Sequence, residues 1–124
     1  MQIYVGHSTA FDYQKDLYQP LKASLLWKQH QFILPHDKQS LPINSKAIIS
    51  KVDFVMAEVS YPSTGLGIEL GWADDASCNI LCLHQQNIQP SSSLSIITSQ
   101  FISYTDPTDL INQLADWFKV RIYS

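Results

Sequence analysis

Cysteine is nearly absent from this chain. Cys78 and Cys82 are the only two, and neither a disulfide framework nor a zinc site is readable from a single pair at that spacing. One borders an apolar run and the other lies inside it, so both read as small buried hydrophobes. A surplus of positive charge is also missing. The formal net charge is −3 and the pI about 5.7, which argues against a polyanion-binding surface and so against nucleic acid as a partner. No apolar stretch approaches the roughly 20 residues of a membrane span. Met1 leads directly into Gln2-Ile3-Tyr4-Val5 without a signal-peptide pattern, so a cytoplasmic location is expected and no membrane association. Repeats, charge blocks and linkers are absent as well. With 124 residues, 45% hydrophobic and 15% charged, residues 1–124 are expected to form one domain around a single core.

What is present is an alternation of short apolar runs with segments of helical period. Ile3 to Val5 predicts a strand. Phe11 to about His30 fits a helix with Leu17, Leu21 and Leu25 on one stripe, and Phe32-Ile33-Leu34 is a second strand ended by Pro35. A short helix is expected over Asn44 to Lys51, the central strand over Val52 to Val59, and a further helix from Leu66 to about Ala76. Ile80-Leu81-Cys82-Leu83 is the next strand, Gln85 to Ser93 a polar surface loop, and Phe101 to Tyr104 the last strand. The final helix has the clearest start: Asp106 can cap it, Pro107 suits its first position, Asp109 falls in its positive first turn, and Leu110, Ile111, Leu114 and Phe118 form its buried face. This order predicts a Rossmann or flavodoxin-like three-layer α/β sandwich, with a mostly parallel five-stranded sheet in the order 2-1-3-4-5.

In such a sheet ligands bind beyond the strand carboxyl ends at the switch point between the first and third strands. Gly6-His7-Ser8-Thr9 and Ser60 to Gly67 would face each other there. Gly65 and Gly67 permit close backbone approach, and the free N–H groups opening the next helix attract a phosphate or sugar oxygen. Glu69 lies between Ile68 and Leu70. It is either a first-turn carboxylate stabilised by the helix dipole or a group placed for nucleophilic or acid/base chemistry. A capping box would need a Ser, Thr, Asp or Asn at position 66, which is Leu66. Glu58, ending the central strand, reads equally as a strand-end charge bonding a loop N–H or as a ligand-orienting group. His7 is a surface histidine, or a titrating cation or general acid near pH 7. Tyr61 has better access to the pocket than Trp72, one turn beyond Glu69. His30 and His84 lack metal-ligand spacing, and no metal or cofactor is expected.

Asp53-Phe54-Val55-Met56-Ala57-Glu58-Val59, followed by Pro62-Ser63, Gly65, Gly67, Glu69-Leu70-Gly71 and Ala73, resembles the nucleoside 2-deoxyribosyltransferase family. The likeness is greater to its 2'-deoxynucleoside 5'-phosphate N-hydrolase branch, and it runs from Ile3-Tyr4-Val5 to Leu94-Ser95. It implies a homo-oligomer, a dimer or larger, and a small-molecule nucleoside or nucleotide as partner. It also implies that Glu69 attacks C1' of the sugar, expels the base and forms a covalent glycosyl-enzyme that water or a second base resolves. By the same resemblance Tyr4 and Ser8 contact the sugar or the base side, and Ser63 and Gly65 hold the 5' group. Ser95 matches a serine given across the dimer to the phosphate, and His36 stands where that branch has a histidine. The chain departs from the pattern at three places. Where the family carries an aspartate, this sequence reads Asn44-Ser45-Lys46, with Asp37 in the preceding loop as a spatial substitute. His7 replaces a glycine, and Ala10 replaces a basic residue of the phosphate hydrolases. Two other readings stay open: a nucleotide- or sugar-phosphate-binding module without turnover, and an oligomeric partner-binding domain.

Overall fold

A computed structural model describes residues 1–37 and 43–123. Its framework is one sheet of five strands in the order β2-β1-β3-β4-β5: β1 (Gln2–His7), β2 (Gln31–Ile33), β3 (Phe54–Glu58), β4 (Asn79–Gln85) and β5 (Phe101–Tyr104). Every neighbouring pair is parallel, so the sheet is wholly rather than mostly parallel. The expected flavodoxin-like order is the observed one.

A parallel sheet buries both faces, and here alternate residues serve two cores. Ile3, Val5, Met56 and Leu81 point to the side covered by Leu17, Leu21, Leu110, Leu114 and Phe118. Tyr4, Val55, Ala57, Ile80 and Cys82 point to the other side, against Ile49, Leu66, Leu70 and Ala73. The first layer comprises a π-helical turn (Gln14–Tyr18), α1 (Gln19–Ala23), α2 (Leu26–Gln29) and α5 (Pro107–Tyr123). The second comprises α3 (Ser45–Ile49), α4 (Thr64–Asp75) and a 3-10 turn (Ser92–Ile96) in the connection from β4 to β5. No helix among the described residues is long and apolar enough to cross a membrane.

The single helix expected over Phe11 to His30 is instead three short pieces, and the cause is local. Pro20 has no N–H to give the carbonyl of Asp16. The N–H of Gln19 reaches back to Gln14, which widens the turn to π geometry. Ser24 then takes an extended conformation and ends α1. The break resets the helical phase by one residue, so Leu26 enters the core at 3% exposure while Leu25, expected on the buried stripe, is 72% exposed.

The last helix starts as its sequence signals. Asp106 accepts the Asp109 N–H at 2.8 Å, and the Asp109 carboxylate accepts the Thr105 N–H at 2.9 Å, a reciprocal cap. At the other end of α4 the Cys78 N–H bonds the Ala73 carbonyl at 2.9 Å and the Ser77 N–H bonds the Asp74 carbonyl at 3.0 Å. These two bonds form a Schellman motif, with Ser77 at the left-handed position, φ 56°. A Cβ is unfavourable there. Ser77→Gly is therefore expected to stabilise the fold by up to about 1 kcal/mol, the strain relieved being partly offset by glycine's chain entropy. Chemical denaturation of the two proteins measures it, and a lower midpoint for Ser77→Gly would refute it.

Candidate active site

The carboxyl ends of β1 and β3 lie side by side, with His7 paired to Glu58 in register. Between them and the helices α3 and α4 opens a cleft of about 790 Å³, large enough for a small organic ligand. Its lining includes Tyr4, His7, Thr9, His36, Asn44, Ser45, Lys46, Ser63, Gly65, Glu69 and Trp72. Gly6 matters by what it lacks. A Cβ at this position would stand 3.0 Å from Leu66 Cδ1 and 3.8 Å from Glu69 Oε1, so glycine lets the start of α4 pack against the end of β1.

Glu69 is at the floor. Helix α4 begins at Thr64, two residues earlier than the sequence suggests, with Ser63 as its N-cap accepting the Leu66 N–H at 3.4 Å. Glu69 therefore sits in the second turn, and no acidic residue occupies the first. The helix-dipole reading of this carboxylate loses its basis, because that effect fades beyond the first turn. Glu69 instead accepts the O–H of Tyr4 on Oε2. The Tyr4 oxygen is also 2.9 Å from Ser45 Oγ. Since the phenolic proton is directed at Glu69, the Ser45 hydroxyl is the donor in that second bond. Tyr4 is fully buried, and burial first, then its bond to Glu69, pushes its pKa well above the ordinary phenol value. Tyr4 thus stays protonated, a fixed donor to the carboxylate.

His7 is no solvent cation. It is 5% exposed, with Nδ1 2.8 Å from the Ser8 carbonyl and Nε2 2.6 Å from Tyr18 Oη. Nδ1 must donate to the carbonyl, so Nε2 accepts from Tyr18, whose oxygen in turn accepts the His36 N–H at 3.1 Å. The neutral tautomer satisfies every partner, and burial pushes the pKa from 6.5 to about 4. The unfolded chain takes up this proton near pH 6.5 and the native state only near 4. Stability should consequently fall by on the order of 3 kcal/mol as pH drops through that window. Denaturant titrations of the native protein and a His7→Gln variant across pH 7 to 4 would show the variant lacking that share of the loss. Parallel curves would refute it.

The other expected residues divide. Ser63, Gly65 and His36 line the cleft, His36 exposed at its rim. Ser8 is buried just behind it, its Oγ accepting the Ala10 N–H at 3.0 Å. Gly67 is exposed on α4 outside the lining, and its N–H is used by the Ser63 carbonyl at 3.0 Å. Ser95 is exposed on the 3-10 turn, also outside the cleft. Tyr61 stacks on Phe11 with centroids 5.4 Å apart, while Trp72 forms part of the wall, the reverse of their expected access. Asp37 pairs with Lys22 at 2.8 Å and does not line the cleft, so it does not substitute for a carboxylate there. Glu58, 1% exposed, accepts the Ser60 N–H at 2.6 Å, the Ser60 hydroxyl at 3.1 Å and the Tyr104 hydroxyl. Burial raises its pKa, against the lowering effect of those bonds. It fastens β3 to β5 and to the loop that follows.

Sequence reasoning missed Ser45 and Lys46 as cleft residues, whereas Thr9 lines the cleft as the first loop was expected to. The signal for Ser45 was the gap in the family pattern at Asn44-Ser45-Lys46. Among the described residues, no group of three His, Cys, Asp or Glu side chains could hold a metal ion.

No protein-family model matches the sequence, and no curated protein matches it. Its fold is similar to that of a Clostridium botulinum CMP N-glycosidase, BcmB, with a TM-score of 0.68 over 93% of this chain and 99% of that one, at 20% identity.

Proposed function

We propose that the chain cleaves the N-glycosidic bond of a nucleoside or nucleoside 5'-monophosphate through Glu69. The observation that carries this reading is the Tyr4–Glu69 pair on the floor of the switch-point cleft. A carboxylate held by one buried donor presents its remaining lone pairs to the cleft. The fold likeness to a CMP N-glycosidase and the motif resemblance around Glu69 support the same chemistry.

In the first step a Glu69 oxygen bonds to C1' as the C1'–N bond breaks, and the bonding pair leaves with the base. In the second, water attacks C1', the glycosyl ester opens, and its electrons return to the carboxylate. One water is consumed; sugar and protonated base are released. If a second base replaces water, the same intermediate gives transfer. Ser63 and Gly65, where α4 opens, suit the 5' group. Ser95 lies outside the cleft of its own subunit, so its part in phosphate binding requires a homo-oligomer in which Ser95 of the partner subunit reaches the site. We place this activity in the cytoplasm.

The test is chromatographic detection of free base after incubation with CMP, dCMP and a panel of other nucleosides and nucleotides, with and without an acceptor base. Base released from at least one substrate is the expected result. No release by folded, concentrated protein would overturn the reading, and a ligand-induced rise in melting temperature would then mark a binding module.

A further inference from the structure

Resting on that reading, a second question is where the departing base finds its proton. Glycosidic cleavage with a carboxylate nucleophile ordinarily has an acid partner, and among the described residues no carboxyl group other than Glu69 lines the cleft. Three other donors in the lining are already committed. The Tyr4 O–H is directed at Glu69. His7 gives its only proton to the Ser8 carbonyl and accepts from Tyr18. The Ser45 hydroxyl is bonded to Tyr4. The His36 ring lies among aromatics, 5.3 Å from the His7 ring and 5.8 Å from that of Tyr13. Among the described residues one cation of the lining remains: Lys46, exposed and next in sequence to the serine that touches the Tyr4–Glu69 pair. The single ion pair among the described residues joins Lys22 to Asp37, so Lys46 is not held by a carboxylate.

We propose that Lys46 is the electrophilic partner of Glu69, its ammonium stabilising the negative charge that the base carries away from C1'. A flexible ammonium is a point charge with three donors rather than an oriented acid. It offsets charge on a base oxygen or nitrogen without requiring one fixed geometry. As the C1'–N bond breaks, its electron pair delocalises onto the base. The base anion is neutralised by a proton from the ammonium or from water, and the amine regains its proton from the water that hydrolyses the glycosyl ester. Such a site favours bases that are stable as anions. Rates should rise with the N–H acidity of the leaving base, more steeply than in an enzyme with a positioned carboxylic acid.

The experiment compares Lys46→Ala, Lys46→Arg and His36→Ala with the native enzyme on a pair of nucleotides differing only in base acidity, a uracil and its 5-fluoro derivative. Loss of a charge partner or proton donor at this step is worth on the order of 10²-fold. That loss is expected for Lys46→Ala on the uracil substrate, with a smaller loss on the 5-fluoro substrate and substantial rescue in Lys46→Arg. The exposed position of Lys46 keeps the fold out of the comparison. Base release that depends on Glu69 but is unchanged by Lys46→Ala would overturn this inference and leave the proposed function standing. So would equal losses on both substrates, or a loss confined to His36→Ala. No release from any substrate would overturn both.

Discussion

Glu69→Gln is expected to lower base release by on the order of 10³-fold or more while leaving the folded protein intact. Gln is isosteric but lacks both the negative charge and the nucleophilic oxygen, so neither attack on C1' nor charge stabilisation survives. The Tyr4 hydroxyl still finds an amide oxygen to donate to, which preserves the local packing. Structural cost should be small because Glu69 is only half-buried and opens onto the cleft. The result is read from single-substrate rates beside thermal unfolding of the same preparations. A variant that keeps a tenth of the native rate would remove Glu69 from the chemistry, whatever else the cleft does.

The second carboxylate should behave in the opposite way. Glu58→Ala is expected to cost roughly 2–4 kcal/mol, a fall in melting temperature on the order of 10 °C for a chain of this size. Removing the carboxylate leaves the Ser60 N–H and the Tyr104 hydroxyl without their acceptor, in a region where Glu58 is 1% exposed. Ser60 would also lose its hold on one neighbour while still accepting the Gln85 N–H at 2.8 Å. The damage therefore spreads to the ends of β3, β4 and β5 together. Glu58→Gln retains one acceptor and should fall between the native protein and Glu58→Ala. Calorimetry orders the three proteins, and an unshifted transition for Glu58→Ala would show that the network contributes little. The pair of carboxylates separates the two roles: Glu69 should affect rate without stability, and Glu58 stability first.

The residues alone left a structural and a chemical reading open for each carboxylate, and the motif resemblance implied the chemistry for Glu69. Strand order and the final helix were legible because their signals are local: apolar runs bounded by turn residues, and Asp106-Pro107 before a clear 3.6-residue stripe. Glu69 was legible through its motif. Its partners were not, since Tyr4 touches residues 41 and 65 positions away, and no local pattern encodes such a meeting. Tyr4 nevertheless carried one readable clue. In a strand whose neighbours Ile3 and Val5 face one layer, it must face the other, where α4 packs. The broken first helix shows the limit of periodic reading. Leu17, Leu21 and Leu25 keep helical spacing on paper, but a π turn before Pro20 and an extended Ser24 alter the phase, and only the proline announces it. Likewise His7 looked like a titrating loop residue because its burial depends on Tyr18 and Ser8 closing around both nitrogens.

The two outer strands of the sheet are short, three residues in β2 and four in β5. A brief edge offers few unpaired backbone groups to an incoming strand, which is one way natural sheets avoid fusing end to end. Self-association of this chain is thereby steered away from a continuous intermolecular sheet and towards side-chain contacts between helices and loops. Where such contacts are isologous, with the same patch on both copies, the assembly closes instead of growing into a fibre.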